Sequence, residues 1–272
     1  MTKVKAIILR TAGTNCDKET AFAFETAGAS TELVHINELT RGEKRLADHQ
    51  ILAIPGGFTY GDDIASGKIL ANELRFKLEE DLQRFIKYGK LIIGICNGFQ
   101  VLVKSGLLPN LSGDFRTIES TLTLNDSDKF EDRWVYLKRP KTKDQRPKTK
   151  CVWTEGIEDI IYLPVAHGEG KFIPQDKEIL GKLKKEGMVV FEYVDEKGRR
   201  AGYPYNPNGS VENIAGICDR TGRIFGLMPH PERHLSSSHH LIGQEIKKPA
   251  PVTDLPYSRM AWILQKNICN LA

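Results

Sequence analysis

A cysteine at the end of an apolar run is the residue best suited to covalent chemistry. Residues 91–95 read Leu-Ile-Ile-Gly-Ile and lead into Cys96, Asn97 and Gly98, after which residues 99–103 have the pattern of a helix. A buried strand that turns sharply into a helix, with a glycine two positions to either side of a reactive side chain, is the nucleophile-elbow pattern. Glycines fit because a Cβ there would crowd a strained turn. Cys96 is therefore either a thiolate nucleophile for a carbonyl carbon or a small buried core residue.

A cysteine nucleophile needs a base, and the base needs an orienting group. Among the seven histidines, His230 follows an apolar run and lies between Pro229 and Pro231. A residue before proline is held in extended geometry, and side chains two apart in an extended chain share a face. His230 and Glu232 are thus predicted to point the same way, with the carboxylate holding one ring nitrogen and the other left for the thiol. The alternative is a surface His–Glu pair in a proline-rich turn.

An acyl-transfer site also requires preorganised donors for the oxyanion of the tetrahedral intermediate. The N–H of Asn97, directly after the cysteine, is the usual elbow donor. A second donor is predicted at Gly57, within Pro-Gly-Gly-Phe at residues 55–58, because two glycines let the backbone approach a ligand closely. A plain turn would have the same composition. Both loops follow predicted parallel strands, at whose carboxyl ends ligands bind in open α/β sheets.

Strands and helices alternate over the first hundred residues. Strands are predicted at residues 4–9, 31–36, 50–54 and 91–95. One helix is predicted to start at an N-cap on Asn15 or Asp17 and to end at about Ala27, and another at about 64–87. This order implies right-handed crossovers and a parallel sheet. Beyond Gly106 the pattern becomes that of antiparallel strands. Later elements are predicted as strands at 115–124, 134–137, 160–165, 188–194, 213–218 and 223–227, and as helices at 176–186 and 257–268.

Composition favours a soluble globular protein. The chain has 272 residues, of which 40% are hydrophobic and 27% charged, and we expect one domain over residues 1–272. Five scattered cysteines without a CxxC pair argue against a disulfide framework or a zinc site and favour a reducing cytoplasm. The N-terminus lacks a secretory signal, and no apolar stretch approaches ~18 residues, so no membrane association is expected.

The excess of positive charge comes from one segment. The net charge is +4, yet residues 138–150 contain seven basic residues and one acid, which leaves 32 basic and 34 acidic residues elsewhere. Its Pro, Lys and Thr content is typical of an exposed loop. A contact with nucleic acid is disfavoured there because no aromatic residues are interleaved, and a solvated insertion is the preferred interpretation.

Five separated motifs together resemble a known family, the class I (triad) glutamine amidotransferases. They are Gly-Thr-Asn-Cys-Asp at 13–17, Gly-Gly-Phe-Thr-Tyr-Gly-Asp-Asp at 56–63, Gly-Ile-Cys-Asn-Gly-Phe-Gln at 94–100, His-Gly-Glu-Gly at 167–170 and Pro-His-Pro-Glu-Arg at 229–233. Within that family they look most like the glutaminase subunits of phosphoribosylformylglycinamidine synthase, of purine biosynthesis. The resemblance implies a flavodoxin-like class I glutaminase fold: a central, mostly parallel sheet flanked by helices, with a small antiparallel extension.

The resemblance also implies a role for each matching residue. Cys96 would be the nucleophile, His230 the general base and Glu232 its orienter. Gly57 and Asn97 would supply the backbone oxyanion donors, while Gln100 and the loop that begins at His167 would help to hold glutamine. The implied reaction converts glutamine to glutamate and ammonia through a γ-glutamyl thioester.

In this family the ammonia passes to a separate synthetase subunit, which uses ATP to convert formylglycinamide ribonucleotide to its amidine. A small third subunit bridges the two. The chain fits that division because it has no GxxxxGK[ST] phosphate loop and no GxGxxG sequence. No cofactor or metal is expected on the chain itself; ATP and magnesium are expected on the synthetase.

Other interpretations remain open at this point. They are a glutaminase subunit of another biosynthetic amidotransferase, a non-catalytic regulatory subunit of the same fold, and a cysteine peptidase of related fold. An intact Cys/His/Glu set argues against the regulatory subunit, and the peptidases generally carry an acid before the elbow cysteine. The chain departs from the family at Ala12, where proline is usual, in a basic loop insertion at about 125–150, and in a variable loop at 236–244.

Overall fold

The computed structural model describes residues 3–141 and 149–235. The predicted helix at 257–268, the variable loop at 236–244 and the middle of the basic segment, 142–148, lie outside these ranges. The predicted strand at 134–137 is extended to Glu131–Lys138, so a regular strand lies within the region 125–150 that was expected to form an insertion.

The described residues form strands and helices that alternate over the first half of the chain. The strands are β1 (Lys5–Arg10), β2 (Ser30–His35), β3 (Ile51–Ile54), β4 (Leu91–Ile95), β5 (Ser120–Thr123), β6 (Glu131–Lys138), β7 (Ile160–His167), β8 (Lys171–Pro174), β9 (Val189–Val194), β10 (Ile214–Cys218) and β11 (Ile224–Leu227). The helices are α1 (Asp17–Thr26), α2 (Ile36–Thr40), α3 (Lys68–Lys77), α4 (Glu79–Lys87), α5 (Asn97–Lys104) and α6 (Lys177–Lys185).

Nine of these strands form one sheet in the order β2-β1-β3-β4-β11-β10-β9-β6-β7. The first five run parallel to one another, which confirms the predicted parallel sheet. The expected antiparallel extension is continuous with it, because β10, β9, β6 and β7 pair antiparallel. Strands β5 and β8 form a separate antiparallel pair.

The strand order places three loops at one edge of the sheet. Every residue of β3, β4 and β11 is buried, as expected for parallel strands covered on both faces. Ile54 pairs with Gly94, and Leu227 pairs with Ile95. The glycine pair after β3, the cysteine after β4 and the histidine after β11 therefore emerge side by side at the carboxyl edge of the sheet.

The prediction of one long helix at 64–87 is wrong. The chain leaves helical geometry at Leu78, whose φ and ψ are −127° and 15°, and a new helix begins with Glu79, Glu80 and Asp81. Acidic residues stabilise a helix N-terminus through its dipole, so this run favours a fresh start. The apolar spacing continues across the break because Leu78 is itself buried between the two helices.

Two short elements were not predicted from the sequence. Helix α2 follows β2 directly, and the side chains of His35 and Glu38 form a capping box at its start. Strand β8 follows His167–Gly170 and pairs with β5, which is shorter than the strand predicted at 115–124. Elements of four or five residues give too few positions for a period to be recognised.

Candidate functional site

Cys96 occupies a strained turn between β4 and α5. Its φ and ψ are 51° and −106°, a left-handed backbone conformation that is uncommon for any residue with a side chain. The turn is held by the Cys96 N–H, which donates to the Leu227 carbonyl at 2.8 Å. The Sγ atom lies 3.6 Å from the Ala166 carbonyl oxygen. The predicted elbow is therefore present, with its sulfur against β7 and its backbone bonded to β11.

The elbow glycines are required by a close approach between the helix start and the neighbouring strands. A Cβ on Gly94 would lie 2.4 Å from the carbonyl oxygen of Gly98, and a Cβ on Gly98 would lie 1.9 Å from that of Ile54. The collisions are with backbone atoms on either side of the turn, which is the physical reason that both positions are glycine.

We expect Gly98→Ala to lower the free energy of unfolding by at least about 2–3 kcal/mol, because the new methyl group meets fixed backbone and overpacks the core. Gly181→Ala is the matched control: it lies in α6, where a Cβ would meet no other part of the described chain within 4 Å. That substitution should stabilise the protein by about 0.5–1 kcal/mol. Urea denaturation measures both, and equal effects of the two substitutions would contradict the packing argument.

His230 and Glu232 form a buried ion pair beside the elbow. The Nδ1 atom of His230 lies 2.6 Å from Oε1 of Glu232, and both side chains are at most 2% exposed. The backbone N–H of His230 donates to the Pro164 carbonyl at 2.8 Å, which fixes the turn against β7. The predicted orientation of the two side chains is therefore observed, while the alternative of a surface pair is excluded by burial.

The pKa of His230 lies well above its ordinary value. Burial alone lowers the pKa, but the charge of Glu232 and the sulfur of Cys96 outweigh that effect. The Nε2 atom is buried and has no hydrogen-bond partner among the described residues. A histidine that carries a proton beside a thiol, with its second nitrogen held by a carboxylate, can stabilise a thiolate and then deliver the proton to a leaving group.

The glycine pair after β3 packs directly against this histidine. A Cβ on Gly56 would lie 2.8 Å from Cε1 of His230, and a Cβ on Gly57 would lie 2.8 Å from the backbone N of Asn15. Gly57 also has a φ of +143°, which favours glycine. As the first residue of α5, Asn97 has an N–H with no acceptor inside the helix. Gly57 and Asn97 thus flank the elbow from the two loops predicted to supply donors.

The side chains of Asn97 and Gln100 form hydrogen bonds within the protein. Asn97 Nδ2 donates to Gln100 Oε1 at 2.9 Å, and Thr59 Oγ1 donates to Asn97 Oδ1 at 2.7 Å. Gln100 Nε2 donates to the Glu169 carbonyl. Both ends of the Gln100 amide are therefore engaged, and its observed contacts join helix α5 to the loop that begins at His167.

A second set of polar contacts ties the loop after Gly57 to the same helix. Asp62 accepts hydrogen bonds from Ser66 Oγ at 2.9 Å, the Gly67 N–H at 3.1 Å and Asn97 Nδ2 at 3.1 Å, and burial raises the pKa of Asp62. The buried Lys104 Nζ donates to the Ser66 carbonyl at 2.7 Å and lies 3.3 Å from Glu169 Oε2. The two loops that border the elbow are consequently held to one helix.

His167 is buried next to the triad and is neutral at physiological pH. Its Nδ1 lies 3.1 Å from Asn125 Oδ1, which also accepts the Gly170 N–H at 2.9 Å. Because a carboxamide oxygen only accepts, Nδ1 carries the proton. Burial and the positive charge of His230 lower the pKa of His167 to about 3. Its Nε2 is a buried acceptor with no partner among the described residues.

This buried neutral histidine should make folding sensitive to acid. An unfolded His167 gains a proton near its ordinary pKa of 6.5, whereas the folded one does so only near 3. The contribution of neutral His167 to the free energy of unfolding is therefore complete above pH 6.5 and is lost as the pH falls from 6.5 towards 3. At pH 5 the loss is about 2 kcal/mol. Urea denaturation between pH 7 and pH 4 should give a steeper loss for the wild type than for His167→Gln. If the free energy of unfolding depended on pH equally in both proteins, His167 would not be the buried neutral group responsible for the loss.

Cys16, which belongs to the motif at residues 13–17 and has no role predicted from the sequence, lies against the triad. A Cβ on Gly56 would be 3.2 Å from Cys16 Sγ, and Arg233 Nη2 lies 3.0 Å from the same sulfur. The Cys16 N–H donates to the Gly56 carbonyl at 3.2 Å. Nothing local in the sequence places Cys16 beside His230, because the two residues follow different strands.

All four described cysteines are free thiols. Among residues 3–141 and 149–235, no helix combines the length and apolar character needed to cross a membrane.

Comparisons with known proteins agree with this geometry. A family model described as the CobB/CobQ-like glutamine amidotransferase domain matches residues 3–263. The chain is 55% identical over 241 residues to the phosphoribosylformylglycinamidine synthase subunit PurQ of Dehalococcoides mccartyi, with 88% of this chain and 89% of the relative covered. It is 47% identical over 249 residues to the subunit of the same name from Methanococcus maripaludis, with 90% and 88% covered.

Solved structures give the same result for the fold. A chain of PurLQS from Thermotoga maritima matches with a TM-score of 0.69 and 28% identity, covering 98% of this chain and 100% of that chain. A putative GMP synthase component from Thermoplasma acidophilum matches with a TM-score of 0.54 and 13% identity, covering 100% and 98%. At that identity the second match shows a likeness of fold alone.

Proposed function

Because the chain belongs to the family of CobB/CobQ-like glutamine amidotransferase domains, we propose that it is the glutaminase subunit of a phosphoribosylformylglycinamidine synthase. It hydrolyses glutamine and delivers ammonia to a synthetase subunit, which makes formylglycinamidine ribonucleotide from formylglycinamide ribonucleotide in purine biosynthesis. The observation that carries the chemistry is the buried His230–Glu232 pair at 2.6 Å beside the strained elbow of Cys96. The acceptor follows from the similarity to PurQ proteins over most of the chain.

The first half of the reaction forms a thioester. The Cys96 thiolate attacks the carboxamide carbon of glutamine, and the carbonyl oxygen becomes an oxyanion that accepts hydrogen bonds from the N–H groups of Gly57 and Asn97. Collapse of this intermediate breaks the C–N bond while His230 Nε2 donates its proton to the nitrogen, which leaves as ammonia. Glu232 holds the ring and stabilises its charged form throughout.

The second half releases glutamate. His230, now neutral, takes a proton from water as the water oxygen attacks the thioester carbon. The second oxyanion forms in the same place, and its collapse breaks the C–S bond, so that Cys96 leaves as a thiolate and His230 is again protonated. Asp62, Lys104 and Gln100 act indirectly, because their hydrogen bonds hold the two loops that border the elbow.

Glutamine binding is assigned to the loop that begins at His167. The neutral ring of His167 offers an acceptor at Nε2, which suits the N–H groups of glutamine. The observed contacts of Gln100 favour a positioning role over direct contact, since its amide joins Asn97 to Glu169.

The partners of this glutaminase are a synthetase and a small bridging subunit, in line with the PurLQS structure from Thermotoga maritima. ATP and magnesium belong to the synthetase and not to this chain. A cytoplasmic location is consistent with the free thiols at Cys16, Cys96, Cys151 and Cys218. One domain over residues 1–272 is supported by the unbroken family match over 3–263.

The test measures ammonia release from glutamine by the purified chain alone and then with the synthetase and bridging subunits, formylglycinamide ribonucleotide and ATP. Glutamate and the amidine should form in equal amounts in the complete mixture, at a rate well above that of the purified chain. A high rate of glutamine hydrolysis by the chain alone, unchanged by the partner subunits and the nucleotide, would contradict the proposal that this subunit is coupled to a synthetase. Transfer of the ammonia to a different acceptor would favour another biosynthetic amidotransferase, and a chain that releases no ammonia would favour a regulatory subunit.

A further inference from the structure

Three buried side chains with good metal-binding chemistry converge beside the elbow. Cys16 Sγ, a ring nitrogen of His230 and a carboxylate oxygen of Glu232 all lie within 4.8 Å of one another. Thiolate, imidazole and carboxylate are the three ligand types that zinc uses in proteins. Cys16 comes from the loop between β1 and α1, whereas the other two residues follow β11, so this cluster exists only in the folded chain.

Two atoms of the cluster lack partners, although Cys16 Sγ itself donates to Asn15 Oδ1 at 3.2 Å and accepts from Arg233 Nη2 at 3.0 Å. His230 Nε2 and Glu232 Oε2 are buried and have no hydrogen-bond partner among the described residues. Buried polar atoms normally have a partner, so each such atom calls for an explanation. Catalysis accounts for His230 Nε2 but gives no role to the second oxygen of Glu232 or to the sulfur of Cys16.

We propose that a thiophilic divalent cation, with Zn²⁺ as its representative, binds to Cys16, His230 and Glu232 and reversibly inhibits glutamine hydrolysis. Three protein ligands leave a fourth tetrahedral position for water. An ion on Nε2 occupies the nitrogen that transfers the proton, and an ion on Nδ1 replaces the hydrogen bond to Glu232. In either case His230 no longer serves Cys96 as a base. Arg233, whose Nη2 lies 3.0 Å from Cys16 Sγ, remains as a hydrogen-bond donor to the metal-bound sulfur, as outer-shell groups do in metal sites.

Binding is measured first, without glutamine or turnover. Calorimetry with Zn²⁺ alone should show one ion bound per chain. Absorption spectra of the Co²⁺ form should show a sulfur-to-cobalt charge-transfer band. Cys16→Ser should weaken Zn²⁺ binding at least about tenfold and remove the band, since it deletes the only thiolate of the three ligands. Cys151→Ser is the matched control, because Cys151 is also a buried free cysteine and the backbone N–H of its neighbour Val152 donates to the carbonyl of Gly222, which precedes β11 at the end away from His230.

Inhibition is measured next, with the assembled complex. Zn²⁺ should inhibit the wild type and Cys151→Ser equally, whereas Cys16→Ser should need at least about tenfold more metal and keep basal activity within about twofold of the wild type. The proposal is overturned if no ion binds, if Cys16→Ser binds as the wild type does, or if the band is lost in Cys96→Ala but kept in Cys16→Ser. This inference uses two residues of the proposed triad. The binding measurements nevertheless stand if the glutaminase assignment fails.

Discussion

Cys96→Ala is expected to reduce ammonia release from glutamine by about a millionfold, because removing the nucleophile of a triad costs nearly as much as removing the whole triad. The oxyanion donors at Gly57 and Asn97 remain in this variant and account for the residual rate. Ammonia supplied as a salt should still support amidine formation by the complex, since the synthetase is unchanged. The measurement compares glutamine-dependent and ammonia-dependent rates in one preparation.

The matched control is Cys151→Ala, which removes the same thiol from a buried position beside the residues that precede β11, at the end of that strand away from His230. It should retain both rates within a few-fold, so that loss of one cysteine is not in itself the cause. Full glutamine-dependent activity in Cys96→Ala would refute the thioester mechanism. Loss of the ammonia-dependent rate as well would show instead that the substitution disrupts assembly.

Glu232→Gln is expected to lower kcat about 10³–10⁴-fold, by analogy with removal of the orienting carboxylate from a serine-protease triad. The amide retains the size of the side chain but not its charge, which is the favourable contribution that raises the pKa of His230. The basic limb of the pH–rate profile should therefore move to lower pH, because the imidazolium form is lost sooner. Glutamine should bind with a KM changed far less than kcat.

Glu178→Gln serves as the control, since its carboxylate is exposed and pairs with Lys182 on α6. It should leave the rate and its pH dependence unchanged. A Glu232→Gln variant with a lower rate but the same pH profile would mean that the carboxylate supports the fold rather than the electrostatics of His230. Such a result would leave Cys96 as nucleophile but remove Glu232 from the mechanism.

Local patterns in the sequence were sufficient to identify the elbow and the His–Glu pair. The run into Cys96 and its glycines specify a strand, a tight turn and a helix within ten residues. Pro231 and the two-residue spacing make His230 and Glu232 share a face. Each inference depends on backbone geometry over a few neighbouring residues, which nearby residue types largely dictate.

Predictions failed where packing between distant parts of the chain overrides local pattern. The apolar spacing across Leu78 is compatible with one helix. In the folded chain Leu78 is buried outside helical geometry, and a second helix begins at Glu79. For Gln100, the fold supplies what local pattern cannot give: its amide is bonded to Asn97 and Glu169, while its contact with glutamine stays a prediction. Neither outcome follows from the residues next to these positions.

By itself, the sequence determined the chemical groups of this protein: a strained cysteine, a histidine paired with a carboxylate, and glycines that admit backbone donors. Only the tertiary structure decided which loops meet, because β11 enters the sheet beside β4 through pairing across more than a hundred residues. That pairing brings His230 to Cys96, and the parallel pairing of β1 and β3 brings Cys16 to the same edge. Side-chain types are local properties of a chain, whereas the neighbours of a buried side chain depend on the order of strands in the completed sheet.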